Sequence, residues 1–293
     1  MTAIITPNET RKAIPLELTL GVTFAVLGAA LLHAAWNAII KSGLDVQLDA
    51  ALVALGSSLV ALPFLPFVAL PAPAAWPWLV ASTVIHVGYF TALVGAYRAG
   101  DLSHGYPIMR GLAPLFVAAS SFAWFAESLS AAAWLGVALI SAGVVSLGLA
   151  GGRVSRSATL WAAGNAAIIA CYTLVDAAGV RAAGGAERYV LWFFAVMGWP
   201  YVLIVLAARR GEALPYAGRF WRKGLLAGAC AVAAYGIALW AMTRAPVATI
   251  AALRETSVIF AALIGAWILK EGQLGPRLGG AAAVLAGVIA LKL

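Results

Sequence analysis

The sequence predicts an all-α integral membrane protein of ten transmembrane helices, arranged as two inverted five-helix repeats. Three observations predict it. Apolar stretches of about 20 residues, each enough to cross a hydrocarbon core about 30 Å thick, recur along the chain. Charged residues make up only 10% of the sequence, against about 25% in an ordinary globular domain. The two halves also share charged, aromatic and glycine positions at nearly constant offsets.

Taken in order, the helices are expected at 18–40, 47–70, 76–98, 104–124, 131–150, 158–180, 189–208, 223–243, 246–269 and 278–292. A polar tail over 1–17 precedes the first. That helix is too long, and too polar at its His33-Trp36-Asn37 end, for a cleaved signal peptide. Gly, Pro and charge punctuate the breaks at Lys41-Ser42-Gly43, Pro71-Ala72-Pro73, Arg98-Ala99-Gly100-Asp101, Gly151-Gly152-Arg153 and Lys270-Glu271-Gly272. Only Arg209 to Lys223 reads as a connection of any size, which leaves nothing for a soluble catalytic module.

The repeat divides the chain into 18–150 and 151–293. At an offset of 144, Arg110 maps onto Arg254, Phe116 onto Phe260, Glu127 onto Glu271, Gly136 onto Gly280 and Gly143 onto Gly287. At an offset of 146, Tyr89 maps onto Tyr235 and Arg98 onto Arg244; a weaker match at 136 puts Trp36 on Tyr172. Five is odd, so two similar halves must insert with opposite orientation, an architecture of secondary transporters whose substrate site lies near the midplane. The glycine pairs, two turns apart, predict smooth stripes for close helix packing.

The net charge of +8 does not indicate nucleic acid, because Lys and Arg sit mostly in short connections. Eleven of them lie in or beside connections 1–2, 3–4, 5–6, 7–8 and 9–10 and six on the other side, which favours a cytoplasmic location for the first set and external termini. Trp76, Trp78, Trp134, Trp161 and Trp221 fall near helix ends, as an interfacial belt requires. Cys171 and Cys230 fall inside apolar helices and read as small hydrophobes. No metal-ligand spacing is present, and neither a metal nor a cofactor is expected.

Charges inside the membrane are the candidate site. Arg110 in the fourth helix and Arg254 in the ninth each lie on the order of 10 Å deep. Each costs roughly 2.5–3.5 kcal/mol at a helix centre unless it faces protein or water and is paired. They either flank a cavity and grip an anionic group, or one or both simply pair with Glu255 or with free carbonyls of each other's helix. Pro107 and Pro114 free two backbone carbonyls in the fourth helix, whereas Ala251 and Val258 at the repeat positions leave the ninth without such kinks.

His33 shares a helix face with Trp36 and Asn37 and either lines the cavity, titrating in transport, or makes an interhelical hydrogen bond. Asp176, four residues beyond Tyr172, is a proton or amine site or snorkels to water from near its helix end. Tyr89 and its mate Tyr235 close the cavity from both halves or simply pack. His86 reads as a packing partner and His104 as interfacial. Glu127 and Glu271 read as helix-end residues that fix topology. The candidate substrate-binding set is therefore Arg110, Arg254, Glu255, His33, Trp36, Asn37, Tyr89 and Tyr235, with Glu255, His33 and Asp176 as candidate proton-coupling groups.

With these residues in view, the sequence resembles the EamA-type members of the drug/metabolite transporter superfamily. The resemblance is carried by Leu32-His33-Ala34-Ala35-Trp36-Asn37 with Lys41, by Ser103 to Ile108 and Pro114-Leu115 through Glu127, and by Pro246 to Glu271, so that it spans nearly the whole chain. It implies ten helices, a central cavity open to alternating sides, a bacterial inner-membrane location and transport of small organic metabolites. Arg110 and Arg254-Glu255 carry more charge than many relatives have there, which points away from a neutral solute. The function expected is a secondary transporter, not an enzyme, moving a small metabolite with an anionic group, such as an amino acid or organic acid. Its partners are that solute and the bilayer, and the chain acts as a monomer or homodimer. A membrane-embedded enzyme on a lipid-like substrate would need clustered nucleophile, metal or acid–base residues that the sequence lacks. A passive channel on the same fold is the other alternative.

Overall fold

The computed structural model describes residues 17–41, 43–99, 102–150, 155–267 and 275–292. Regular structure among them is entirely helical: α1 (Leu20–Lys41), α2 (Val46–Ala61), α3 (Trp76–Ala99), α4 (Leu102–Phe125), α5 (Ala131–Ala150), α6 (Arg156–Ala182), α7 (Ala186–Ala208), α8 (Arg210–Met242), α9 (Val247–Arg254), α10 (Ser257–Trp267) and α11 (Gly275–Ala290). Eight of them, α1 to α8 with the short 3-10 turns that flank α2 and α3, are long and apolar enough to cross a membrane. The outward faces carry side chains such as Phe24, Val84 and Phe122, each more than half exposed, while Asn165 and Asp176 are fully buried. Apolar outside and polar inside is the distribution a bilayer selects, and the chain is a multi-pass membrane protein.

Three expectations need correction. The stretch Arg209 to Lys223 is no loop: α8 begins at Arg210 and runs 33 residues. At 1.5 Å per residue it is about 50 Å long, so its charged first turns extend past a hydrocarbon layer of about 30 Å. Contacts that local sequence does not disclose hold those turns. Tyr216 donates its hydroxyl to Asp49 Oδ1 at 2.6 Å, and Arg209 donates to Asp45 Oδ2 at 2.6 Å and to Glu212.

The ninth helix is the second correction. It is broken between Arg254 and Ser257 although it contains no proline there, whereas α4 runs unbroken through Pro107 and Pro114. At the break the chain tightens into i→i+3 bonds, from Glu255 N to Ala252 O at 3.0 Å and from Thr256 N to Leu253 O at 3.2 Å. The Thr256 hydroxyl adds a bond to Leu253 O at 2.8 Å. Third, Pro63 and Pro66 end α2 in a 3-10 turn, Leu62–Phe67.

Packing follows small residues. α3 lies against α6 and α8 against α1; α4 packs on α5 and α6; α2 sits between α7 and α8; and α5 pairs with α11. The α5–α11 contact is built on the predicted glycines. A Cβ on Gly143 would sit 2.7 Å from the carbonyl oxygen of Gly280, and one on Gly287 would sit 2.7 Å from that of Gly136. Only hydrogen fits there, and the stripe is used within the chain.

Candidate functional site

The helices enclose a cavity with about 110 Å³ of room for the centres of water molecules, which on the order of ten waters would fill. Of the eight residues expected to bind substrate, His33, Trp36, Asn37, Tyr89, Arg110, Tyr235 and Arg254 line it. Glu255 does not, but it holds Arg110. The lining extends through Val53 and Ala50 of α2 to Val46 and Tyr97, near the ends of α2 and α3 that meet the first and third connections. The cavity thus runs from the break in α9 toward that side of the protein.

Arg110 is delivered by the third turn of α4 and Glu255 by the broken turn after α9. Arg110 Nε donates to Glu255 Oε2 at 2.9 Å, and Nη2 stands 2.8 Å from Oε1, with both side chains almost wholly buried. The pair is neutral as a unit, and the break in α9 is what lets Glu255 turn toward α4. Arg254 differs. It is 8% exposed, and its guanidinium lies over the Tyr235 ring, 4.9 Å from the centroid, with no carboxylate within salt-bridge distance among the described residues. Of the alternatives the sequence left open, the lock with Glu255 falls to Arg110, and Arg254 faces the cavity with no salt-bridge partner among the described residues.

Beneath Arg254, Tyr235 donates its hydroxyl to Asp176 Oδ2 at 2.6 Å, and Tyr189 donates to Oδ1 at 2.8 Å. Asp176 does not snorkel: it is fully buried behind the two tyrosines and outside the cavity wall. The reason is topological, because Tyr189 comes from α7 and Tyr235 from α8, both packed over the face of α6 that carries Asp176.

His33 lies in the wall. Trp36 Nε1 donates to His33 Nδ1 at 3.2 Å, and the Tyr106 hydroxyl is 3.4 Å from Nε2. An indole N–H only donates, so Nδ1 carries no proton in this arrangement and the ring is neutral. Asn37 Nδ2 donates to the His33 carbonyl at 2.7 Å and closes the same turn. His86 was expected to pack, and it does so inside the cavity wall. Its Nδ1 is 2.8 Å from Ser82 O, and its ring lies 4.3 Å from Tyr172. Tyr172 also meets Tyr89 at 5.6 Å and Tyr235 at 6.0 Å, which makes it the hub of an aromatic wall.

Sequence reading passed over Tyr106, Tyr189 and Phe193 and treated Tyr172 only as a neighbour. A usable signal existed: Tyr106 is four residues before Arg110, Tyr172 four before Asp176, and Tyr189 four before Phe193. The side chain of His104 and the whole of Glu271 lie outside the described residues.

At the opposite end the helix ends are tied to one another. Glu127, just beyond α4, accepts from Arg181 Nη2 at 2.7 Å and from Val247 N, at the start of α9, at 2.9 Å. Arg181 Nε adds a bond to Met242 O at 2.9 Å, and Ala72 N donates to Ala183 O at 3.1 Å. The expectation that Glu127 fixes a helix end is extended here, since it ties α4 to both α6 and α9.

No protein-family model matches this sequence, and no curated protein matches it. Solved structures share the fold. One crystal structure superposes with a TM-score of 0.74 at 19% identity, over 92% of this chain and 96% of the other. At that identity the likeness establishes shared architecture alone.

Proposed function

We propose that this chain is a secondary transporter of the EamA type within the drug/metabolite transporter superfamily, carrying a small organic solute with an anionic group across a bacterial inner membrane. The observation that carries the proposal is the cavity itself: an aromatic chamber with one guanidinium, Arg254, that has no carboxylate within salt-bridge distance among the described residues, beside a second, Arg110, that has one. A buried cation without a salt-bridge partner favours an anionic ligand there.

Alternating access on two inverted halves is part of the same reading, with α9–α10 as one interrupted span and α11 as the tenth. The helix pairing supports it. Under the repeat α3–α6 corresponds to α8–α1, and both pairs pack closely. The α5 and α11 glycines meet as exchanged partners, Gly136 with Gly287 and Gly143 with Gly280, as elements related by a two-fold axis must. One end open and the other latched by Glu127 and Arg181 supports a chain caught facing one side. By the distribution of Lys and Arg that side is the cytoplasm.

Uptake into proteoliposomes loaded with small carboxylates, phosphates and amino acids tests the reading. Saturable counterflow in the wild type, lost in Arg254→Gln with normal reconstitution, is the expected result. Normal flux in both Arg254→Gln and Arg110→Gln would overturn the anion site, and a non-saturating current would favour a channel.

A further inference from the structure

We infer that the solute is a monovalent carboxylate with a flat, apolar body and no ammonium group; this rests on the transporter reading above and narrows it. The charges of the cavity are the first ground. Among the described lining residues there are two arginines and no aspartate or glutamate. Arg110 is held through Nε and Nη2 by the Glu255 carboxylate, and His33 is neutral because Nδ1 accepts from Trp36. One guanidinium is therefore left, enough for one carboxylate. A second negative group would be buried without a partner.

An ammonium fares no better. The two nearby carboxylates are already committed, Glu255 to Arg110 and Asp176 to the hydroxyls of Tyr189 and Tyr235. The ring face that would otherwise hold a cation beside the carboxylate site is that of Tyr235, and Arg254 already lies on it. An α-amino acid would bring its ammonium into the field of Arg254, with no carboxylate among the described lining residues to pair it.

The body of the solute is set by the walls. Around Tyr172, the rings of His86, Tyr89 and Tyr235 meet at 4.3 to 6.0 Å, mostly edge to face, and leave ring surfaces toward the chamber. Aromatic contacts of this kind add roughly two- to tenfold in affinity beyond the area buried. Because most of the lining surface is apolar, a planar apolar body buries more favourable area here than a hydroxylated one.

Equilibrium binding to the purified protein tests this with five phenyl compounds of similar shape, 3-phenylpropionate, L-phenylalanine, phenethylamine, 3-phenylpropanol and phenylsuccinate, and with propionate, which lacks the ring. The expected order places 3-phenylpropionate at least ~10-fold tighter than phenylalanine, phenethylamine, the neutral alcohol and propionate, and no weaker than phenylsuccinate. Its binding is lost in Arg254→Gln and partly restored in Arg254→Lys, which keeps the charge and controls for folding. Phenylalanine binding as tightly as 3-phenylpropionate, with the same dependence on Arg254, would overturn the inference while leaving the anion site standing. Phenylsuccinate binding ~10-fold tighter than the monoanion would overturn the single-charge count. If no anion binds, or Arg254→Gln binds equally, both this inference and the anion site fall.

Discussion

Replacing Glu255 by Gln removes the carboxylate that pairs with Arg110 and leaves a buried guanidinium without its salt-bridge partner. The pair is closed by contacts of 2.9 and 2.8 Å between side chains that are 6% and 4% exposed, so almost no solvent is available to take over. Breaking such a pair from one side costs about 3–5 kcal/mol, because the surviving charge keeps its desolvation penalty. Arg110→Gln leaves the opposite orphan and costs a similar amount. The double variant buries two neutral amides of nearly the same shape, and its loss is smaller than the sum of the singles by at least ~2 kcal/mol. Reversible unfolding in mixed micelles, measured on all four proteins, gives the coupling directly. Singles that add to within ~0.5 kcal/mol would refute the premise that the two groups form one neutral unit. The double variant is also expected to bind organic anions through Arg254, which the pair leaves free.

Four further outcomes follow from the geometry. Gly143→Leu places a Cβ 2.7 Å from the Gly280 carbonyl and is expected to cost ~1–3 kcal/mol or more by the same unfolding assay, whereas Gly279→Leu, which meets nothing within 4 Å, is expected to stay within ~0.5 kcal/mol. Tyr235→Phe deprives Asp176 of one of its two tyrosine donors, a loss of ~1–3 kcal/mol, but keeps the ring under Arg254 and hence the anion Kd; Tyr235→Leu loses both, and equal Kd values for the two would show that the ring is idle. Glu127→Ala frees Arg181 and the start of α9, so a cysteine at the fully buried Met242 position is expected to react several-fold faster with a membrane-impermeant reagent than it does beside Glu127. At the other end, burial of the Asp45 carboxyl opposes ionisation, but the backbone N–H of Leu48 and the Arg209 guanidinium outweigh it and hold the group below the ordinary aspartate range. A depressed carboxylate stabilises above its unfolded value and loses that contribution as pH falls through the folded one. Hydrogen exchange at the start of α2, corrected for intrinsic rate, is expected to be flat from neutral pH down to ~5 and to accelerate below ~4; acceleration near pH 6 would contradict the assignment.

Much of this protein was determined by the sequence alone. Helix class, most boundaries and the glycine stripes follow from local rules: a bilayer leaves backbone groups no partner but the helix itself, and the apolar length of each segment is countable. Part of the cavity wall was also legible, because Arg110, Arg254 and His33 are expensive in lipid and must face inward wherever the chain places them. Which charge pairs with which was not. Arg110 and Glu255 are 145 residues apart, and their contact exists only because α9 breaks where no proline marks it. The helical start of α8 depends on Asp45 and Asp49, more than 160 residues away in sequence. The burial of Asp176 depends on tyrosines from two other helices. Local propensity fixes what a segment can form, but the pairing of buried charges is set by which groups the packed helices bring within about 3 Å, and that distance exists only in the tertiary structure.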